Sequence, residues 1–193
     1  MNGNGLSVVK LGQILPKPYK NGIYKSSESY GDGTAILRIN DFDNSGNLVN
    51  SDLRKLELSP EEIKSYQLKQ GDIAVNRVNS LSHLGKSILW EGNDSVSVVY
   101  ESNMMRIEPD ESIILPEFLI RILQSYNARS HFREVAKRAV AQCSINQQDV
   151  KSLRLALPPS QNKKRSRRSS PPGIRPSPPP SACLRTASSG RKG

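Results

Sequence analysis

The chain has 193 residues, 28 Lys+Arg against 18 Asp+Glu, and 35% hydrophobic residues, enough for one domain or one domain and a tail. No apolar run approaches the ~20 residues that span a bilayer, and the opening MNGNGLSVVKLGQ lacks the basic-then-apolar pattern of a secretory signal. Cys143 and Cys183 alone make no disulfide framework, so a reducing, cytoplasmic setting and no membrane association are expected.

Taken in chain order, Lys17, Lys20 and Lys25 lie in a Tyr- and Gly-containing approach segment and suit phosphate contacts. After Gly31-Asp32-Gly33 the β-rich run 34–39 predicts a strand, and Asp41, Asn44, Ser45 and Gly46 supply turn chemistry. Ser59-Pro60-Glu61-Glu62 reads as a helix start, with Ser59 as cap, Pro60 in the first turn and Glu62 completing a capping box. Gln70-Gly71-Asp72 is a turn feeding the strand Ile73-Ala74-Val75. The runs 85–90 and 96–107 read as two strands joined through Glu91-Gly92-Asn93-Asp94, which predicts a hairpin.

Pro116 opens the main helical stretch, where Phe118, Leu119, Ile122, Leu123 and Tyr126 recur at helical spacing and are expected to face the core. A second helix is predicted over 128–141. It carries Phe132, Val135, Ala136, Ala139 and Val140 on one side, and Arg129, Arg133, Lys137 and Arg138 on the other. Residues 145–150 read as a turn or short helix, and Leu153, Leu155 and Leu157 as a final strand stopped by Pro158-Pro159.

Residues 160–193 differ in composition. They hold nine basic and no acidic residues, so nearly all of the +10 net charge sits there and residues 1–159 are close to neutral. Rich in Pro and Ser and without apolar periodicity, this tail is expected to be disordered. Its Lys163-Lys164-Arg165-Ser166-Arg167-Arg168 run resembles a nucleic-acid or nuclear-import patch, and its Pro-rich stretch a polyproline ligand. An accidental sequence with no selected role is the plainer reading.

No catalytic constellation is visible. His83 and His131 are far apart in sequence, Cys143 has no Cys-x-x-Cys partner, and neither a phosphate loop nor a nucleophile elbow occurs. Polar residues at strand ends are more informative. Arg38 and Asn40 end the first strand, and Asn76, Arg77, Asn79 and Ser80 follow the strand after Gly71-Asp72. Arg and Asn carry the forked groups that read guanine and adenine edges in the major groove. Each also has a plainer use: Asn76 and Asn79 can satisfy loop backbone, and the basic helix face can be solvated surface.

The motifs, in order, resemble the target-recognition domain of the DNA specificity subunit of type I restriction–modification systems. The carrying residues are Tyr19-Lys20 with Tyr24-Lys25, then Ala35-Ile36-Leu37-Arg38-Ile39-Asn40-Asp41-Phe42. They continue with Leu68-Lys69-Gln70-Gly71-Asp72-Ile73-Ala74-Val75-Asn76-Arg77 and Leu84-Gly85-Lys86, then Pro116-Glu117-Phe118-Leu119, and close with Leu153 to Pro159. The likeness spans about residues 8–159, and its strength lies in order and spacing together.

The resemblance implies an α+β fold with a twisted, mostly antiparallel sheet and packed helices. It implies a non-enzymatic domain that reads one half of a bipartite double-stranded DNA target. A full subunit of this family bears two such domains joined by long helices, which recruit adenine-methylating (M) subunits; restriction (R) subunits join them. S-adenosylmethionine is then the methylating partner's cofactor, and none is expected in this chain. The DNA-contacting residues expected here are Lys25, Arg38, Asn40, Asn76, Arg77, Asn79, Ser80 and Lys86.

The sequence departs from the family in carrying one recognition domain and in lacking the long charged helix expected after Pro158-Pro159, the element that would dock the methylating subunit. One allowed codon choice for residues 185–193 reads, one base over, as Ala-Arg-Gln-Ala-Gln-Val-Glu-Lys, so a frameshift and a truncated subunit are one reading of the tail. Two other functions stay open: a protein-interaction module acting through the Pro-rich basic tail, and the recognition part of a nuclease or methyltransferase.

Overall fold

A computed structural model describes residues 7–140 and 142–157. The expectations for the 160–193 tail lie outside the described residues. In chain order the elements are β1 (Ser7–Lys10), α1 (Leu11–Ile14), β2 (Lys20–Asn21), β3 (Tyr30–Gly31), β4 (Thr34–Leu37), β5 (Lys55–Leu56), α2 (Pro60–Tyr66), β6 (Ile73–Asn76) and β7 (Val78–Asn79). They continue with β8 (Ser87–Leu89), β9 (Val98–Tyr100), β10 (Met104–Ile107), α3 (Pro116–Gln124), α4 (Tyr126–Val135), β11 (Lys137–Arg138), β12 (Cys143–Ser144), α5 (Gln147–Lys151) and β13 (Arg154–Leu157). The fold is the expected mixture of helices with mostly antiparallel sheet; among the named strands only β4 and β9 pair in parallel.

The sheet ordered β2-β10-β6-β8 is the centre of the molecule. Side chains alternate across a strand, and here both faces are covered. Ile73 and Val75 of β6, with Met105 and Ile107 of β10, enter one core with Leu119, Leu123 and Phe132 from α3 and α4. Ala74 and Met104 enter a second core on the other face with Leu37, Phe42, Leu68 and Tyr100. A strand buried on both faces needs a continuous apolar run, which Ile73-Ala74-Val75 supplies.

The capping box forms as its sequence predicts: Ser59 Oγ accepts from Glu62 N, and Glu62 Oε2 accepts from Ser59 N. β1 pairs with β13 along four residue pairs, from Ser7–Leu157 to Lys10–Arg154, and so ties the beginning and end of the described chain together.

Two sequence expectations fail on topology. The runs 85–90 and 96–107 form no hairpin with each other. β8 pairs with β6, whereas β9 crosses to pair with β4 and only β10 returns to β6. The three residues of β9 are all buried, and that is the reason it seeks a covered sheet rather than an open ribbon.

The second helix begins at Tyr126 and stops at Val135, not at residue 141. Ser125 breaks from α3 in an extended conformation and caps α4 through Ala128 N, which leaves Tyr126 exposed rather than core-facing. Ala136 is extended (φ −62°, ψ 132°), and Lys137-Arg138 continue as β11.

Gly85 is held at φ +73°, where a Cβ would lie 2.2 Å from Cδ2 of Phe132. Backbone conformation and close approach of α4 both demand glycine. Gly85→Ala is expected to lower unfolding stability by about 2–4 kcal/mol, measured by urea denaturation. Gly31→Ala, where a Cβ meets nothing within 4 Å, should change it little.

Asp72 is buried and accepts a hydrogen bond from Lys69 N at 2.8 Å, with Arg106 Nε 3.7 Å from the same carboxylate. Burial outweighs both contacts and pushes its carboxyl up to about 6. The folded state therefore prefers the protonated acid. This contribution is fully present below the unfolded-state value near ~4 and is lost as pH rises through about 6. Relative to Asp72→Asn, the native chain should lose about 2–3 kcal/mol of stability between pH 4 and pH 6, measured by denaturant unfolding at each pH. An unchanged difference would place the ionised carboxylate at no disadvantage.

Candidate nucleic-acid interface

Three segments meet beyond the end of the central sheet. The first is the turn after β4. Arg38 N donates to Asp41 Oδ2 at 2.8 Å, Arg38 Nη2 donates to Asp41 Oδ1 at 3.2 Å, and Asp41 N donates to Arg38 O. The buried Asp41 carboxylate closes the turn and leaves Asn40 exposed at its tip. Ile39 N donates to Glu101 Oε1. Burial raises the Glu101 carboxyl above its usual range, while the Ile39 N–H and the Arg38 charge oppose that rise.

The second segment is the loop between β6 and β8. Asn76 N donates to Lys86 O at 2.7 Å and Gly85 N donates to Asn76 O at 2.8 Å, which clamps the loop at its neck. Arg77 sends Nη1 to Ser102 O at 3.1 Å. Asn79 Oδ1 accepts from Ser80 N at 2.7 Å, and Ser80 O accepts from both His83 N and Leu84 N. The loop is tied outward on two sides: His83 Nδ1 lies 3.1 Å from Asn44 Oδ1 of the first segment, and Arg129 Nη2 donates to Ser82 O at 2.8 Å from α4.

The third segment is the hairpin of β11 and β12. β12 pairs with β7, Cys143 opposite Asn79 and Ser144 opposite Val78, and β11 pairs with β12. Ala139 N donates to Gln142 O at the turn. Lys137, Arg138, Ala139 and Val140 are all exposed.

The eight residues expected to touch DNA divide. Asn40 and Ser80 are exposed, and Arg38, Arg77 and Asn79 are half-buried around the same loops. Asn76 and Lys86 differ from these by being buried. Asn76 is fully buried; its Nδ2 reaches His83 O at 3.4 Å and its Oδ1 has no partner among the described residues. Lys86 is 6% exposed, and its ammonium donates to Ile39 O and, at 2.8 Å, to Phe42 O, while lying 4.4 Å from the Phe42 ring centroid. Burial lowers its pKa, and Arg129 lowers it further. Both residues lie inside the loops, where their backbone and side-chain bonds hold the chain in place.

Lys25 lies apart, ion-paired with Glu62 of α2 at 2.7 Å. Lys20 likewise serves α2, donating to Ser65 O at 2.7 Å and lying 4.3 Å from the Tyr66 ring centroid. Residues that sequence reasoning missed are His83 and Asn44, which join two loops, and Arg129, which braces the 76–86 loop from α4. Lys137 and Arg138 were recognised as basic but placed on a helix. Helical spacing of apolar residues continues past Val135 without Gly or Pro, so no local signal marks the change to a strand. Among the described residues no group of three or more His, Cys, Asp or Glu is placed to hold a metal ion, and no helix is long and apolar enough to cross a membrane.

Lys86→Met keeps the apolar stem and removes the ammonium, leaving two carbonyls without their donor. The expected loss is about 2–4 kcal/mol of unfolding stability, with faster amide exchange over residues 39–43. Native-like exchange there would mean that the loop is held by other contacts.

A family model for the type I restriction modification DNA specificity domain matches residues 4–166. A protein described as the MjaX type I restriction enzyme specificity subunit of Methanocaldococcus jannaschii is 32% identical over 149 residues, 75% of this chain and 34% of that protein. The EcoKI specificity subunit of Escherichia coli is 29% identical over 141 residues, 72% of this chain and 30% of that protein. This chain thus spans about a third of the length of these curated relatives. A solved chain of a type I R-M system shares the fold, with a TM-score of 0.59 at 17% identity, over 85% of this chain and 41% of that one. By a match that runs through the whole described fold, the chain belongs to the family of type I restriction modification DNA specificity domains.

Proposed function

We propose that residues 1–159 form a DNA target-recognition domain that reads one half of a bipartite duplex site for a type I restriction–modification system. In this reading the chain recognises and does not catalyse. Methylating and restricting partner subunits act where it binds, in the cytoplasm, and the S-adenosylmethionine for methylation belongs to the methylating partner. The observation that carries the proposal is the meeting of three segments, the 38–47 turn, the 76–86 loop and the 137–144 hairpin, which gathers exposed or half-buried Asn, Arg and Ser groups at one end of a rigid sheet.

The chemistry divides by residue. Asn40, at the tip of a turn locked by Asp41, has the forked amide that pairs with an adenine edge. Arg77, Asn79 and Ser80 supply further donors and acceptors, while Arg38 is partly engaged by Asp41. Because residues 1–159 are close to neutral, phosphate attraction in that part is modest and sequence-dependent contacts carry a large share of affinity.

Selection of duplexes from a random-sequence pool by the full chain should enrich one short motif. Asn40→Ala should then relax preference at one base position, at about 1–3 kcal/mol per lost bidentate contact, with binding to unrelated duplex unchanged. Titration of each duplex by fluorescence anisotropy reads both quantities. Absence of any enriched motif would overturn the proposal.

A further inference from the structure

We infer that the β11–β12 hairpin is a groove-entering arm whose apolar tip reads thymine methyl groups, an inference that rests on the DNA-recognition reading above. Four consecutive residues, Lys137 to Val140, are exposed, and Val140 is wholly so. The ribbon is joined to the fold along β7, through Cys143–Asn79 and Ser144–Val78. Cys143 at the base of the arm packs against the main core, whereas residues 137–140 stand exposed, so Val140 has no packing role to explain it.

The charge of the arm suits one partner. Lys137 and Arg138 have no ion-pair partner among the described residues; Arg129 and Arg133 lie on the preceding α4, and the exposed Glu134 is the acidic residue next to them in sequence. Arg129 is fixed on Ser82 O, and Arg133 Nε is returned to Arg129 O at 3.1 Å. Of these four cations, Lys137 and Arg138 are the two whose side chains have no partner among the described residues. As neighbours on one strand they point to opposite faces of the ribbon. The major groove of B-DNA admits a two-stranded ribbon, with a phosphate wall on each side. Lys137 and Arg138 meet those walls, and Ala139 and Val140 at the turn reach the floor, where the thymine 5-methyl is the apolar group on offer.

The register supports the placement. β7 carries Asn79, opposite Cys143 at the base of the arm, and Ser80 follows. An arm seated in the groove thus brings the 76–86 loop to the same stretch of base pairs.

The test uses the full chain and the duplex selected from the random pool. Replacing single thymines by uracil removes only the methyl group. The native chain should lose about 3–10-fold in affinity at one or two positions. Val140→Ser, a fully exposed change that should leave the thermal midpoint untouched, should bind the thymine duplex as weakly as the native chain binds the uracil one. It should be indifferent to the replacement. The double variant Lys137→Ser, Arg138→Ser should weaken binding to every duplex and reduce the salt slope by about two. If Val140→Ser keeps the thymine preference, or the double variant keeps the native salt slope, the hairpin inference is overturned while recognition by the other loops stands. If the native chain enriches no motif at all, the recognition reading falls and the inference with it.

Discussion

The candidate interface depends on one buried cation. The Lys86 ammonium sits under the 38–42 turn, bound to two of its carbonyls and facing the Phe42 ring. Burying an ammonium is costly unless its donors are matched and opposite charge lies near. Here two carbonyls, an aromatic face and the carboxylates of Asp41, Asp43 and Glu101 offset that penalty. The turn is thus closed locally by Asp41 and set in place from below by Lys86, the residue before β8. The same residue's carbonyl accepts from Asn76 N, so one lysine holds the neck of the second loop as well.

That arrangement links site to core. β6 is buried on both faces, and its last residue, Asn76, is where a core strand becomes an outer loop. Gly85 closes the other side of the neck against Phe132 of α4, whose Arg129 then braces Ser82. Displacing α4 or β6 would therefore move the loops together. Preorganisation of this kind lowers the ordering entropy lost on binding, and it arises because the loops are anchored at both ends by atoms of the hydrophobic core.

Much of this was legible in the sequence, for reasons that differ by residue. The Ser59 capping box and the all-apolar 73–75 run are local signals, and the structure follows them. The family resemblance rested on the order of such signals, and it carried the fold. What was not legible is non-local. Whether the runs 85–90 and 96–107 pair depends on which sheet edge is open, and β9 found β4. The end of α4 is set by the free edge of β7, which draws the following segment into strands despite its helical spacing. Asn76 and Lys86 are polar residues in a loop motif, and polarity alone cannot separate a group that faces DNA from one that holds the loop.

The same bookkeeping of cations bears on how the domain would discriminate. Many basic groups of the body are already engaged with protein. Lys20, Arg77, Lys86, Arg106 and Arg129 donate to backbone carbonyls, and Arg38 and Lys25 face carboxylates. A cation held this way contributes little to counterion release, the term that drives binding to any sequence. Of the engaged cations, Arg38, Arg77, Lys86 and Arg129 cluster around the loops of the candidate interface, so charge there is tied to holding those loops in place. Under the proposed recognition role, cations engaged within the fold hold Asn40, Asn79 and Ser80 in place, and discrimination between duplexes would rest on that fixed placement.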